Sequence, residues 1–335
     1  MIYEKAKLYN VTELVEDGKG GNRLLRLPMK LVKQLNPNAQ RSVYYSCGCE
    51  VRFNLHSEEA VIYLSRDSCG SDIMPYGVAE VWQGDHQGRY QLSPQPVGQH
   101  KTAIRIRKMG TEELKPLENE KKLFDPELYR VFLPYDWGTS IHGIEGDITP
   151  PGKDQVPDET LLCYGSSITH GGGASVPTGS YALRLARSLG MDLKNLGLAG
   201  AAWMDEGMAD YICEHNEWST AVLELGINVL HWSLGEFEDR ARSFIRRIAL
   251  SNPEKPIYCI SPFTSIEDYK RREHIRGMRW SLHKIVKELD LEQLHYIDGK
   301  DCLTDLSGLS SDGLHPSNLG MEEISRKIYN KITQS

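Results

Sequence analysis

The hydrophobic pattern changes character near the middle of this 335-residue chain. From about Leu25 to Gly146 the apolar segments are short and separated by turn residues. After residue 158, apolar strands alternate with longer helical segments. Short alternating strands are typical of an antiparallel sandwich, whereas apolar strands joined by helices indicate a parallel sheet covered on both faces. The chain therefore predicts two regions of different architecture, as expected for domains of roughly 150 residues.

The first region reads as all-β. The segment Thr102–Arg107 alternates isoleucine with arginine, so the two residue types would occupy opposite faces of a strand. Gly84, Asp85 and Gly88 predict a hairpin turn between two strands. The strands predicted for this region are 42–55, 60–67, 77–85, 89–93, 102–109 and 127–135.

A segment rich in Pro, Gly and Asp, residues 147–158, is the best candidate for a linker. It divides the chain into a predicted β-sandwich over 1–150 and a second domain over 151–335. The strands predicted for the second domain are 160–165, 193–200, 220–228, 256–263 and 294–299. The helices predicted between and after them are 179–190, 205–214, 235–250, 269–289 and 318–332. Right-handed crossovers place the carboxyl ends of these strands on one edge, where ligands bind in such sheets.

Composition limits the classes of function. The net charge is −7 and 40% of residues are hydrophobic, so the chain is too apolar for a disordered protein and lacks the basic face that nucleic acid requires. No apolar run approaches the ~20 residues of a membrane span, and the N-terminal residues contain no signal-peptide segment. We therefore expect a cytoplasmic protein that binds neither nucleic acid nor membrane.

The seven cysteines are scattered, and an odd number predicts reduced thiols. Cys47 and Cys49 form the only close pair, and on a strand both side chains would face the same side. A zinc site needs two further ligands at suitable spacing, which the sequence does not offer. We expect small buried side chains here and no metal.

Two glycine-containing motifs follow the first two predicted strands of the second domain. Gly165–Thr169 carries two serines on a turn between a strand and a helix, which would lift a hydroxyl above the sheet edge. Asn195–Ala201 includes Gly200, where backbone can approach a ligand closely. Each motif taken alone also fits an ordinary loop or turn.

Two further motifs carry an amide and an imidazole. Asn228 ends the third strand and fits either an oxyanion donor or a helix N-cap. Asp312 and His315 lie three residues apart in one turn beyond the last strand. A nucleophilic serine needs a base, and the base needs a carboxylate on its other nitrogen. Alone, this turn also fits a surface loop.

In this order, the four motifs resemble those of the SGNH (GDSL-like) hydrolase family, named for a Ser, Gly, Asn and His in four sequence blocks. The resemblance covers residues 160–332, roughly half of the chain. It implies an α/β fold: a flavodoxin-like domain with a parallel five-stranded sheet and helices on both faces, preceded here by an all-β, jelly-roll-like sandwich. It also implies a carboxylic ester hydrolase that needs no cofactor.

The resemblance assigns roles by position. Ser167 is the implied nucleophile, His315 the general base, and Asp312 the carboxylate that orients His315. The implied oxyanion hole consists of the Ser167 backbone N–H, the Gly200 backbone N–H and the Asn228 amide.

One position departs from the family pattern, because Ser166 stands where an Asp usually precedes the nucleophile. We expect the chemistry to survive, since the triad carboxylate is Asp312. A small hydroxyl residue there, followed by Ile-Thr and a Gly-rich turn, resembles a bacterial branch in which a β-sandwich precedes the hydrolase domain. Segments 74–82 and 312–321 resemble that branch more loosely.

The substrate follows less directly. Carbohydrate acetylesterases are frequent in that branch, and the sequence has no long apolar insertion to cover a lipid, so we expect a small-molecule or oligosaccharide ester such as acetylated xylo-oligosaccharides. A lysophospholipase or thioesterase on the same triad and a non-catalytic carbohydrate-binding protein are the alternatives. The aromatic residues that fit either sugar stacking or core packing are Trp137, Tyr181, Trp203 and Trp232.

Three points stay open at this level. The sandwich has two interpretations. It is either a carbohydrate-binding module or a domain that packs on the hydrolase domain and shapes the cleft or a subunit interface. The second interpretation is compatible with a homo-oligomer. His170 lies either in the pocket or in solvent. Glu224 is near a strand end beside Asn228 and is a candidate to support the site, but it is assigned no role.

Overall fold

The computed structural model describes residues 1–67, 76–110 and 122–334. Antiparallel strands fill the N-terminal part and parallel strands the C-terminal part. The antiparallel strands are β1 Ile2–Tyr3, β2 Ala6–Tyr9, β3 Glu13–Glu16, β4 Asn22–Leu25, β5 Glu50–Leu55, β6 Glu59–Arg66, β7 Gly77–Gln83, β8 His86–Gln87, β9 Gln95–Val97, β10 Thr102–Arg107, β11 Leu128–Phe132, β12 Thr139–Glu145 and β13 Ile148–Thr149. The parallel strands are β14 Thr160–Gly165, β15 Asp192–Gly197, β16 Thr220–Glu224, β17 Ile257–Ile260 and β18 Leu294–Ile297.

The antiparallel strands form two sheets. One runs β1-β2-β5-β11-β7-β8, with β13 beside β5 and β9 beside β7, and the other runs β10-β6-β12-β4-β3. Phe53 and Val131 of the first sheet share one core with Ile62 and Ile141 of the second. The predicted all-β sandwich is therefore confirmed, and the alternation over Thr102–Arg107 places its isoleucines inside and its arginines outside.

The sandwich departs from the sequence prediction in places. The hairpin turn is at Gly84-Asp85, between β7 and β8, but the predicted strand 89–93 is irregular. Cys47 and Cys49 lie in a turn before β5 and not on a strand, because Gly48 adopts a φ of +68°. Both side chains are buried thiols, whereas Cys69 and the start of segment 74–82 are outside the described residues.

The parallel sheet has the order β15-β14-β16-β17-β18, so the first strand in the chain lies between the second and third. This is the flavodoxin-like order. The direction of the strand order changes between β14 and β16, and this is the switch point where ligands bind in such sheets. The helices are α1 Met29–Val32, α2 Ala39–Ser42, α3 Ser167–His170, α4 Tyr181–Leu189, α5 Glu206–Glu214, α6 Leu234–Ser251, α7 Glu267–Lys270, α8 Arg272–Leu289, α9 Gly299–Cys302 and α10 Asn318–Thr333.

Helices cover both faces of the parallel sheet, as predicted. Phe237 of α6 and Leu282 of α8 belong to the core on one face. Leu185 of α4 and Ile324 of α10 belong to the core on the other face. Serine side chains cap α4, α6 and α10 by accepting backbone N–H bonds at their first turns, which explains why these helices begin within two residues of the predicted positions.

Part of the N-terminal region packs inside the core of the parallel sheet. Leu31 of α1, Ala39 of α2 and Val43 lie in the same apolar cluster as Leu162 of β14. Arg26 is buried beside them and donates to backbone carbonyls at the end of β15. The two architectures therefore share apolar and polar contacts, in addition to the covalent connection.

The connection between the two architectures is short. β13, Ile148–Thr149, still pairs with β5 inside the candidate linker, a 3₁₀ turn follows at Lys153–Gln155, and β14 begins at Thr160. The division into domains 1–150 and 151–335 stays a prediction. Within the part of the chain described, no helix has the length and apolarity needed to cross a membrane.

Candidate active site

The turn that carries Ser167 is built by residues on both sides of it. The Ser166 hydroxyl accepts from the Ile168 N–H at 3.1 Å and caps the one-turn helix α3, so Ser167 is the first helical residue after β14. Gly165 has no room for a side chain, since a Cβ would lie 2.6 Å from a carboxyl oxygen of Glu224. The sequence Gly165-Ser166-Ser167 therefore positions the Ser167 hydroxyl at the carboxyl edge of the sheet.

Three side chains named by the sequence lie in one hydrogen-bonded row. The Ser167 Oγ is 2.8 Å from Nε2 of His315, and Nδ1 of His315 is 2.6 Å from a carboxyl oxygen of Asp312. With the Nδ1 proton directed to the carboxylate, Nε2 is free to accept the serine proton. This arrangement fits a nucleophile, a general base and an orienting carboxylate.

The Asp312 carboxyl is held in place by its own turn. Its second oxygen accepts from the backbone N–H groups of Leu314 and His315 at 2.8 and 2.9 Å, and from the Ser310 hydroxyl at 2.7 Å. Burial alone would raise the pKa of Asp312, but these bonds and the His315 ring outweigh it and hold the pKa well below its usual range. The group is therefore a carboxylate at neutral pH.

The glycine run after α3 lets the His315 loop approach Ser167. A Cβ at Gly172 would lie 3.1 Å from the His315 ring, and one at Gly173 would overlap the Pro316 carbonyl oxygen. Gly173 also has a φ of +98°, which disfavours other residues. Gly172 and Gly173 are therefore a close-packing surface for the histidine loop, whereas Gly171 faces Ser180 and Tyr135.

The expected oxyanion donors follow the neighbouring strands β15, β14 and β16. Asn228 lies in a 3₁₀ turn whose N-cap is Gly226, so the alternative reading of Asn228 as an N-cap is wrong. Its Oδ1 accepts from the Ala202 N–H at 3.0 Å, which fixes the amide so that Nδ2 points away from that bond. Gly200, with a φ of +67°, has open space beside it.

Side chains of the sandwich region pack beside helix α3, which begins with Ser167. The Tyr135 hydroxyl donates to the Ala174 carbonyl at 2.8 Å, and the rings of Tyr45 and Tyr135 pack edge-on against His170. His170 is 1% exposed and therefore neither lines a pocket nor faces solvent. Burial alone would lower its pKa, but Cys47 and Asp136 outweigh it and raise the pKa to about 9.

The aromatic candidates divide into two pairs. Tyr181 and Trp232 are buried in the two cores beside the parallel sheet, as the core-packing alternative predicts. Trp137 and Trp203 are half-buried. Trp203 directly follows the Gly200 loop and packs against His231, three residues beyond Asn228, so it is the better placed of the two for ligand contact. In the described ranges no group of three or more His, Cys, Asp and Glu could hold a metal ion.

Glu224 is the residue that sequence reasoning located near a strand end beside Asn228 without giving it a role. It ends β16 and is fully buried under the Ser167 turn. The only available signal was a glutamate at the end of an otherwise apolar strand, Thr220–Glu224.

Residues 158–333 match the family model described as the GDSL-like lipase/acylhydrolase family, which is more than half of the chain. The chain belongs to this family and is a carboxylic ester hydrolase, as the resemblance implied. No curated protein matches it.

Solved structures share both regions of the fold. The salicylyl-acyltransferase SsfX3 from a tetracycline biosynthetic pathway has a TM-score of 0.82 at 15% identity, over 98% of this chain and 94% of that one. A family two carbohydrate esterase from Clostridium thermocellum has a TM-score of 0.65 at 12% identity, over 98% of both chains. The acetyl xylan esterase Est2A from Butyrivibrio proteoclasticus has a TM-score of 0.59 at 13% identity, over 100% and 96%. At these identities the likeness is one of fold.

Proposed function

We propose that this protein is a serine esterase that removes acetyl and other short acyl groups from carbohydrates, with Ser167, His315 and Asp312 as its triad. The observation that carries the proposal is the row of hydrogen bonds from Ser167 Oγ through the His315 ring to Asp312. This row requires residues from the first strand and from the last loop of the domain, and a binding scaffold has no need of it.

In the proposed reaction, His315 takes the Ser167 proton while the Ser167 oxygen attacks the ester carbonyl. The tetrahedral oxyanion accepts hydrogen bonds from the Ser167 and Gly200 backbone N–H groups and from the Asn228 amide. His315 then protonates the leaving alcohol, and an acyl-serine forms. Water, deprotonated by His315, then attacks the acyl carbonyl; the bond to the Ser167 oxygen breaks, His315 returns the proton to Ser167, and the acid is released. Asp312 keeps the His315 proton on Nδ1 and stabilises the imidazolium. The chain's own residues supply every group in this sequence.

The carbohydrate part of the proposal rests on the neighbours and on one aromatic side chain. The acetyl xylan esterase and the family two carbohydrate esterase share the two-region fold. Trp203 is half-buried beside the proposed oxyanion loop and offers part of its indole to a ligand. Acetylated xylo-oligosaccharides are the substrate that we propose to test first.

An ester panel tests the proposal. p-Nitrophenyl esters from acetyl to decanoyl and acetylated xylo-oligosaccharides are offered to the wild type and to Ser167→Ala. We expect the wild type to prefer acetyl and Ser167→Ala to lose activity on every ester; the matched control is Ser188→Ala, which removes an exposed hydroxyl on α4. A preference for decanoyl esters would favour a lysophospholipase or thioesterase. No fluorophosphonate adduct at Ser167 would favour a non-catalytic carbohydrate-binding protein.

A second candidate is acyl transfer to an alcohol other than water, which is favoured by the TM-score of 0.82 with a salicylyl-acyltransferase. The same acyl-serine would then be attacked by a bound acceptor hydroxyl. Product analysis with acetyl ester plus xylose, glycerol or methanol separates the two: free acetate alone supports hydrolysis, and a new acetyl ester at low acceptor concentration supports transfer.

We also propose that the protein is cytoplasmic, binds neither nucleic acid nor membrane, and needs no cofactor. The possible homo-oligomer is tested by light scattering during gel filtration. Cell fractionation with an antibody against the chain tests the location.

A further inference from the structure

Glu224 is a buried acid that the proposed mechanism does not use. Its side chain is 0% exposed and lies under the nucleophile turn. One carboxyl oxygen accepts from the Ser166 backbone N–H at 2.6 Å and from the Thr169 hydroxyl at 3.2 Å. Thr169 in turn is 2.7 Å from the hydroxyl of Tyr181 on α4. The carboxyl therefore ties together both ends of helix α3, which begins with Ser167.

The surroundings of the Glu224 carboxyl make its burial unfavourable for the stability of the fold. Among the described residues no Lys or Arg forms an ion pair with Glu224, and its second oxygen has no hydrogen-bond partner. Burial raises the pKa of Glu224, while the bonds from Ser166 and Thr169 and the charge of the nearby His315 ring act in the opposite direction. A buried acid without a cation destabilises a fold, so its position directly under the nucleophile needs a reason.

The residue before the nucleophile supplies that reason. Ser166 places its backbone N–H on Glu224 and its hydroxyl on the Ile168 N–H. An aspartate at this position, which the family pattern leads one to expect, would bring a second carboxylate against Glu224 in a buried site. Two carboxylates that share such a site repel, and one of them is forced to take a proton.

We infer that Glu224 is a positioning residue that holds the Ser167 turn in its reactive geometry, and that Ser166 is the neutral partner that this buried acid requires. The inference rests on Ser167 as the nucleophile of the proposed function. Glu224 acts through Ser166 and Thr169 and touches no substrate.

The main test compares kcat and KM for p-nitrophenyl acetate, per active site titrated with a fluorophosphonate. We expect Glu224→Ala to lower kcat about 10²-fold with little change in KM, since small misplacements of reacting groups have effects of this size. Glu224→Gln keeps an acceptor oxygen and should retain most of the activity. A purely structural role would reduce the number of titratable sites and leave kcat per site unchanged.

Glu80 offers a matched control. Glu80 is 2% exposed. Like Glu224, it accepts one hydrogen bond from a backbone N–H and one from a threonine hydroxyl. For Glu80 both donors belong to Thr178, at 2.8 and 3.0 Å. Glu80→Ala should leave kcat per titrated site unchanged within about twofold. An equal loss in both alanine variants would overturn the inference.

The Ser166 part is tested by a double-mutant cycle. Ser166→Asp should lower kcat at least about fivefold more in the wild type than in the E224Q background, as coupled neighbours do. A Ser166→Asp chain that folds only together with Glu224→Gln supports the same conclusion. Equal losses in both backgrounds contradict it. If Ser167→Ala keeps full activity, the proposed function fails; if Ser167→Ala is inactive but Glu224→Ala is not impaired, only the present inference fails.

Discussion

The interface between the two regions and the edge of the parallel sheet use charged side chains in different ways. At the interface, Glu50, Arg52, Arg130 and Asp192 are all buried and form ion pairs of 2.6 to 2.9 Å. At the sheet edge, the side chains of Asp312 and His315 are 51% and 26% exposed and are oriented by one loop. Buried, mutually paired charges resist change of partner, whereas partly exposed groups can exchange protons with a substrate or water. The comparison predicts that interface substitutions change stability and edge substitutions change rate.

Asp312→Asn should give the largest effect, a loss of about 10⁴-fold in kcat, because an amide no longer holds the His315 proton on Nδ1. The melting temperature should change little. Steady-state kinetics with p-nitrophenyl acetate measures the loss. Asp305→Asn is the control, since Asp305 accepts from the N–H and hydroxyl of Ser307 in a similar turn without a histidine. Similar losses in both variants would contradict the assignment.

Glu50→Gln should lower the free energy of unfolding by ~3–5 kcal/mol at neutral pH, because it takes from the buried Arg130 the carboxylate that pairs with it and leaves Arg52 with Asp192 alone. Burial would raise the pKa of Glu50, but Arg130 and Arg52 outweigh it and lower the pKa from 4.5 to about 2. The stabilisation from Glu50 is therefore complete above about pH 4.5 and is lost as the pH falls through about 2. Urea unfolding across this range should show wild type and variant converging in acid.

The control for this substitution is Glu59→Gln on the surface of the sandwich. Glu59 pairs with Arg105, whose side chain is 59% exposed, and such pairs contribute ~0–1 kcal/mol. A Glu50→Gln protein as stable as Glu59→Gln at pH 7 would contradict the contrast between interface and surface.

Asn228→Ala should lower kcat by ~10²–10³, the usual effect of removing one oxyanion donor. KM for p-nitrophenyl acetate should stay near its wild-type value, since the donor acts on charge that develops during the reaction. Asn54→Ala in the sandwich removes a side-chain bond to Gln155 and serves as the control. An unchanged kcat for Asn228→Ala would remove this residue from the mechanism.

Tyr135→Phe should have the smallest effect, a loss of ~1 kcal/mol in the free energy of unfolding, because it removes one hydrogen bond to the Ala174 carbonyl. Tyr135 belongs to the sandwich region but contacts the loop after helix α3. Its substitution therefore tests whether a contact between the two regions affects stability alone or also the rate. A clear fall in kcat of the folded Tyr135→Phe protein would show that this contact from the sandwich also sets the geometry of the site.

The parallel sheet was predictable because its signals are local. β14 begins and ends at the predicted residues, Thr160–Gly165, since its apolar run is bounded by turn residues. The predicted helix 269–289 is divided at Arg271, which lies outside helical geometry with a φ of −134° and a ψ of 40°. This interruption has no counterpart in the apolar pattern.

The sandwich was predicted less completely because its edge strands depend on distant partners. β3 and β4 end no later than Leu25, where the predicted all-β region begins, yet β4 pairs with β12 through Asn22 and Ile141. Neither β4 nor β12 has a long apolar run that marks it alone. The predicted strand 42–55 begins only at Glu50, since the residues before it form the end of α2 and a turn.

The three residues of the candidate triad were predictable from the sequence. The side chains that hold the surrounding loops in place were not. Asp312 and His315 share one turn, and Ser167 lies in a recognisable Gly-Ser motif, so short sequence patterns locate all three. Glu224 and Tyr135 reach the same place through the order of the strands and the packing of the two regions. The contacts that these two residues make around Ser167 follow from tertiary structure alone.

The apolar segment from Leu27 to Val43 has a consequence for how the protein is made. It packs in one cluster with residues as late in the chain as Leu294 of β18. At ribosomal speeds, the interval between the synthesis of these partners is on the order of 10–50 s. During that time the sandwich strands can already pair, while this segment remains exposed on the nascent chain. The yield of active enzyme in a cell should therefore depend on chaperones that bind apolar segments near the ribosome, even when the finished protein is stable.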